Sequence, residues 1–336
     1  MAKIYELFKK YIDPNISLNK FKKKINSSDN GDIYEYLDKI PEYKNNPIYS
    51  IFTPIDILFE YEEKPIQKFN YYITDTITLS IHSCETPNDD FIKKVIFRIM
   101  LLKPKEFNNK LDIVMFLSKH KKTIDFKSKE PLGINEVNSG VSTIYYNGNN
   151  QTIAIFREEE CLKVLIHELL HAFNMDDKEY RNTKIEDKVD SVKGSLELNE
   201  AYVEFTACVY NSICIILERN NYSFNKDTFQ KMMKNEISHG IKQVAKILKY
   251  YNYKNINEYI EPKKKQFKLK EDTHVAAYYI FKLFILDNYK KYMNMPIKFI
   301  LDDPELLVNP SLKRRINYRL KQHISEDQGS LKMCYY

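Results

Sequence analysis

Cysteine is scarce in this chain. The five that occur, Cys84, Cys161, Cys208, Cys214 and Cys334, are odd in number and show no CxxC spacing. This argues against a disulfide framework and for reduced thiols in a cytoplasmic compartment. Cys161 and Cys208 fall in apolar helical patterns and read as small core residues. Long apolar runs are missing as well. No stretch approaches the roughly 18 uninterrupted apolar residues of a membrane-spanning helix, and the start, Met1 to Tyr5, lacks the apolar run of a signal peptide. No membrane partner is therefore expected. Charge of one sign is not in strong excess: 52 basic against 46 acidic residues give +6, spread over scattered lysines. Nucleic-acid binding is not indicated by such a balance. No internal repeat or low-complexity segment stands out. What remains is an ordinary globular composition, 43% hydrophobic and 29% charged over 336 residues, enough for one large two-lobed domain or two domains.

Histidine is also rare, with 7 in the chain, which makes one stretch conspicuous. Glu160 to Phe173 contains no Pro or Gly, and Leu162, Leu165, Ile166, Leu169, Leu170 and Phe173 recur at helical spacing. His167 and His171 are four apart, so both imidazoles leave one helical face and can grip one cation. Glu168 sits about 100° round the helix, placed to act on a water at that cation without binding the cation itself. This is the HExxH pattern, two neutral imidazoles for zinc plus a general base. Random placement of this chain's histidines and acidic residues gives about 0.02 such patterns.

The rest of the chain supplies a setting. Residues 1 to about 65 read as short helices, Ile4 to Ile12, Leu18 to Ile25 and Ile33 to Ile40, with Lys20, Lys22, Lys23 and Lys24 on a solvated helix face. From Phe69 to Ile81 β-branched and aromatic residues predict one strand or a pair. Phe91 to Leu102 is an amphipathic helix with Asn88, Asp89 and Asp90 as cap and first turn. Ile113 to Leu117 is an apolar run of strand length. Val141 to Tyr146 and Thr152 to Phe156 flank Asn147-Gly148, a hairpin signal. After a polar connection from Asn174 to about Lys193, helical patterns follow at Leu196 to Leu217, residues 226 to 252, Thr273 to Tyr289 and Pro304 to His323. The expected division is a helical segment 1–65, a lobe 66–176 with the HExxH helix, and a helical lobe 177–336.

A catalytic zinc keeps three protein ligands and one open position, so a third ligand should arrive from downstream. The extended form HExxHxxGxxH does not apply, because Asn174 and Asp177 stand where its Gly and His belong. A Glu from a following helix is the remaining type, and Asn199-Glu200-Ala201-Tyr202-Val203-Glu204 offers one, with 28 residues between His171 and Glu200. Glu197, Glu200 and Glu204 share a face, and the apolar neighbours Leu198, Val203, Ala207, Val209 and Ile213 argue against a merely solvated one. HExxH followed by NExxxE resembles the gluzincin group of zinc metallopeptidases. The resemblance implies Glu200 as the third ligand, with Glu197 in reserve. It implies Glu204, beside Asn199, as an outer acceptor orienting His167 or His171, with Glu standing where that group has Asp. More narrowly, Arg157 to Glu160 running into HExxH, then Glu200 to Phe205, is similar to uncharacterised metallopeptidases of large DNA viruses, over roughly residues 70 to 290. It implies a viral source and a place in the host cytoplasm or the virion.

The implied fold is α+β and zincin-like: a small mixed sheet with backing and active-site helices, then a helical C-terminal lobe, with one zinc per chain in the cleft. The implied activity is hydrolysis of peptide bonds in a peptide or protein substrate, Glu168 taking and later delivering the proton. A second oxyanion donor is required. His274 and Tyr278 rank first for it, ahead of Tyr279 and His239. The substrate backbone is expected along an exposed strand edge at Gly140, Val141 and Ser142, where Gly140 permits close approach. Two rivals are a catalytically inactive zinc-binding interaction protein and a metal-free scaffold. Glu168 disfavours the first, and convergent Glu200 and Glu204 disfavour the second.

Overall fold

The computed structural model describes residues 22–23, 46–50, 52–144, 150–176, 183–191, 196–220, 223–322 and 329–336. The chain divides into two compact units: Met1–Lys121, Asn138–Met175 and Ile213–Phe224 form the first, and Lys122–Val137, Asp176–Ser212 and Asn225–Tyr336 form the second. Together they give a mixed α+β protein.

The first unit is built on a six-stranded sheet. Its strands are β1 (Lys22–Lys23), β2 (Gln67–Tyr72), β3 (Ile77–Ser83), β4 (Lys110–Ser118), β5 (Gly140–Ile144) and β6 (Asn150–Arg157), in the order β1-β2-β3-β4-β6-β5. The Phe69 to Ile81 stretch resolves into a hairpin, β2 against β3, closed where Thr74 Oγ1 accepts from the backbone N–H of Ile77 at 3.1 Å. β3 and β4 run parallel, and so do β4 and β6, so each pair needs a crossover. Helix α2 (Asp89–Leu102) makes the first crossover. Asn88 caps it as the sequence predicts, accepting from Asp90 N at 2.8 Å and Phe91 N at 3.4 Å. β5 and β6 form the expected antiparallel hairpin, with Gly140 opposite Ile155; the turn at Asn147-Gly148 lies outside the described residues.

The central strands carry apolar residues on both faces. Val114, Phe116, Ala154 and Phe156 pack with Ile57 and Tyr61 of helix α1 (Ile55–Glu63). Ile113, Met115, Ile153 and Ile155, all fully buried, point to the opposite face by strand alternation. That face meets the HExxH helix.

One expectation needs correction here, and one helix has no counterpart among the expected ones. Lys22–Lys23, read as part of a helix, form a short strand paired antiparallel with Tyr71 and Asn70. The free edge of β2 offers a ladder of backbone hydrogen bonds that overrides a weak helical pattern, and lysine is a frequent edge-strand residue. Helix α1 carries no clear sequence signal, because Ile55 and Phe59 stay about half exposed while Ile57 and Tyr61 are buried, which blurs its periodicity. The helices expected at Ile4 to Ile12 and Ile33 to Ile40 lie outside the described residues.

The second unit is largely helical. Besides the short helices α3 (Ile134–Val137) and α5 (Thr183–Lys188), it holds most of α6 (Leu198–Arg219) and all of α7 (Lys226–Tyr250). There follow a π-helical turn Ala276–Phe281, α8 (Lys282–Asp287), α9 (Tyr289–Tyr292), α10 (Ile297–Leu301) and α11 (Pro310–Lys321). The last is shorter than predicted. Asn309 caps it, accepting from Leu312 N at 2.9 Å with Pro310 in the first turn, so the chain from Pro304 to Asn309 is not helical; His323 lies outside the described residues. Helix α6 is long and apolar enough to cross a membrane, but 72% of that apolar window is buried within the fold, as befits a core helix. The five cysteines form no disulfide. Burial raises the Cys161 thiol to about 12 and the Cys214 thiol to about 11, which makes them inert core groups, as read for Cys161.

Candidate metal centre

The HExxH helix, α4 (Cys161–Ala172), enters directly from β6. The junction is sharp: Glu160 adopts φ 65°, in the left-handed region. It is clamped by Arg157, whose Nε donates to Asn138 O at 2.8 Å and whose Nη1 donates to His120 O at 2.9 Å. Glu158 N adds a bond to Ser118 O at 2.8 Å. Arg157 was read from the sequence only as part of a charged lead-in; buried among three strand ends, it fixes where the helix starts.

Nearly every residue of α4 is buried, including His167, Glu168 and His171 at 5–6% exposure. Leu165, Ile166 and Leu169 are fully buried, each contributing about 1.5–3 kcal/mol. Packing therefore holds this helix, and the polar side chains are carried inward with it. The two imidazoles converge, Nε2 to Nε2, at 3.0 Å. Two lone pairs at that distance repel unless one nitrogen carries a proton or a cation lies between them.

The third member is Glu200, in the first turn of α6. One ligand atom from each of His167, His171 and Glu200 lies within 4.8 Å of the others, and all three residues are buried. Two imidazole nitrogens and a carboxylate oxygen suit zinc chemically. A tetrahedral ion with bonds of about 2.0–2.1 Å holds its ligand atoms about 3.3 Å apart, within reach of this arrangement. The cluster could hold a metal ion. Glu197, the reserve, precedes α6 and stays about half exposed outside this set.

Glu168 faces the edge of the sheet. A Cβ built on Gly140 would lie 3.1 Å from Glu168 Oε1, 2.7 Å from Val164 Cγ1 and 3.1 Å from Ala154 O. Only glycine leaves room at 140, and its close approach brings the backbone of β5 against the Glu168 carboxylate. Among the described residues β5 is the outermost strand on its side of the sheet, and Gly140, Val141 and Ser142 are partly exposed along it.

The candidate oxyanion donors separate into two pairs. His274 Nε2 lies 3.9 Å from Glu197 Oε2, and its ring meets that of Tyr278 edge-on at 5.8 Å. Both therefore stand close to the start of α6, which carries Glu200. Tyr279 and His239 are committed elsewhere: Tyr279 OH donates to Leu331 O at 2.6 Å, and His239 Nε2 to Lys332 O at 2.7 Å. Asn199 is buried beside Glu200. Glu204, one turn on, is buried 4.0 Å from Lys282 Nζ. Lys282 went unnoticed in the sequence; its signal was a lysine inside the apolar run Ile280-Phe281-Lys282-Leu283-Phe284.

Comparison with known proteins supports the viral part of the resemblance. Over 111 residues, 32% of this chain, the sequence is 28% identical to an uncharacterised protein of Acanthamoeba polyphaga mimivirus, and the match covers 29% of that relative's length. No family model and no solved structure matches the chain.

Proposed function

We propose that this protein is a zinc-dependent metallopeptidase. The observation that carries the reading is the buried set His167, His171 and Glu200, with ligand atoms within 4.8 Å of one another, next to a carboxylate on the same helix that is not part of the set. His167, His171 and Glu200 would hold one zinc ion, which when bound supplies Lewis acidity for polarising a carbonyl and acidifying a water.

The remaining work falls to the chain's own side chains. Glu168 accepts the proton of the attacking water and delivers it to the leaving amine. Its place against Gly140 puts the proton carrier beside the strand edge. A substrate backbone added to β5 at Gly140, Val141 and Ser142 would present its carbonyl there, with main-chain hydrogen bonds fixing its direction. Tyr278 or His274 donates a hydrogen bond to the developing oxyanion. Peptides or proteins of the host cytoplasm or the virion are the substrate class this reading gives.

The test pairs metal content with cleavage. Elemental analysis of wild type and Glu200→Ala should give about one zinc per chain, sharply reduced in the variant. A peptide-library screen should show cleavage that Glu168→Gln abolishes while zinc is retained. No zinc in wild type after reconstitution would overturn the reading, and zinc without cleavage would leave an interaction protein.

A further inference from the structure

Glu204 and Lys282 are both buried, with Oε2 and Nζ 4.0 Å apart. The Lys282 ammonium also donates to Met333 O at 2.5 Å and lies 5.7 Å from the Tyr279 ring centroid. Met333 belongs to an irregular segment, Gly329 to Tyr336, whose first five carbonyls are each taken by a donor. Ile124 N bonds Gly329 O at 2.7 Å, Lys246 Nζ bonds Ser330 O at 2.6 Å, Tyr279 OH bonds Leu331 O, His239 bonds Lys332 O, and Lys282 bonds Met333 O. Further along, Glu236 accepts from Tyr335 N at 2.9 Å and Tyr336 N at 3.4 Å. The acceptor that fixes Lys282 is thus itself fixed at both ends.

We infer that Lys282 is a positioning residue for the third metal ligand, acting through Glu204. Glu204 lies one helical turn after Glu200, so the two carboxylates leave α6 on the same side. Removing the Lys282 charge takes away an attraction that helps to hold the buried Glu204 carboxylate where it is. Movement of that turn carries Glu200 away from His167 and His171. Lys282, held by the carbonyl of Met333, supplies the charge from a fixed point and keeps the first turns of α6 in place. A long-range contact, absent from any local motif, then tunes a site whose ligands are all legible in sequence.

The inference rests on the zinc-site reading, and the experiment separates the two. Zinc affinity is measured by chelator competition on wild type, Lys282→Met, Lys282→Arg, Lys246→Met and the double variant Lys282→Met with Glu204→Gln. Lys282→Met should weaken zinc binding by about 10–100-fold, the usual cost of losing an outer partner of a metal ligand. Lys282→Arg should restore most of it, and the double variant should bind zinc better than Lys282→Met alone, because the buried negative charge is removed together with the positive one that faces it. The double variant also serves if Lys282→Met does not fold. Lys246→Met, which frees Ser330 of the same segment without touching Glu204, should leave the affinity near that of wild type. Unchanged affinity in a folded Lys282→Met, or an equal loss in Lys246→Met, would overturn the inference. Wild type without zinc overturns the zinc reading itself; wild type with zinc but no peptidase activity overturns only the catalytic reading, and the affinity series still decides the role of Lys282.

Discussion

The HExxH helix and the segment Gly329 to Tyr336 bury polar groups by opposite means. In α4 the polar residues are few and local: besides Lys163, only His167, Glu168 and His171, within five positions, break a run of apolar, mostly buried side chains. Position on the helix alone decides their direction. In the segment 329–336 the first five backbone carbonyls are bonded, and each of their partners comes from a distant place: Ile124, Lys246, Tyr279, His239 and Lys282. A motif of the first kind can be read from spacing. A structure of the second kind has no spacing to read, since its order comes from satisfying buried carbonyls one at a time.

That contrast can be broken most sharply at Glu168. If the local motif is sufficient for chemistry, Glu168→Gln should lower kcat/KM for a cleaved peptide by about 10²–10⁴-fold, with zinc content unchanged. A variant that keeps its activity would show that the proton is carried by a group outside the motif. Next in size is the packing that carries the motif. Leu165 is fully buried on α4, and Leu165→Ala should cost about 2–5 kcal/mol in denaturant unfolding. A cost below about 1 kcal/mol would mean that the helix is held by its polar contacts after all.

Much of the first unit was legible for the same reason that α4 was. Asn88 followed by Asp89, Asp90 and the apolar face of α2 is a local start signal, and the runs in β2, β3, β4 and β6 are short and bounded by turn residues. Glu200 stands out because NExxxE after HExxH resembles the gluzincin pattern, and the structure groups it with His167 and His171 in a cluster that could hold a metal ion. What stayed hidden depends on partners far away in sequence. Arg157 reads only as part of a charged lead-in to the HExxH helix until its setting among strand ends is known. Lys22 and Lys23 read as helical until the edge of β2 is present. Asp190 reads as one of several acids in a polar connection. In the structure its carboxylate accepts from the backbone N–H groups of Gln266 at 2.6 Å and Phe267 at 2.7 Å and from Tyr253 OH at 2.7 Å. Burial alone would raise its pKa, and these bonds outweigh that and hold it below the usual range.

Gly140 joins the two cases, a local residue whose importance comes from a distant neighbour. Gly140→Ala should destabilise by about 1–3 kcal/mol. The new methyl meets β-branched Val164 and the Ala154 carbonyl, neither of which can turn aside easily. Because the third contact is the Glu168 carboxylate, peptidase activity should fall by more than the loss of folded protein explains. Activity that tracks the folded fraction would separate β5 from the chemistry.

The smallest effect expected concerns pH. Glu271 is buried, and its Oε2 accepts from Ala276 N at 2.7 Å at the start of the π-helical turn that leads to Lys282. Burial raises its pKa to about 7, against the pull of the backbone bonds from Ala276 and Val275. An acid raised in the folded state binds its proton more tightly there than in the unfolded chain, where its pKa is near 4.5. Its contribution to stability is therefore full below about pH 4.5, declines as pH rises toward 7, and is gone above that. Unfolding midpoints across this window should fall more steeply for wild type than for Glu271→Gln, which imitates the protonated form. Since the same turn carries Tyr278 and Tyr279 and leads into Lys282, zinc affinity compared at pH 6 and pH 8 in the same pair of proteins shows whether loosening at Glu271 reaches the cluster of His167, His171 and Glu200. A difference present in wild type and absent in Glu271→Gln would join the distant-contact region to the site. Identical behaviour would confine the effect to stability and leave the local motif independent of its surroundings.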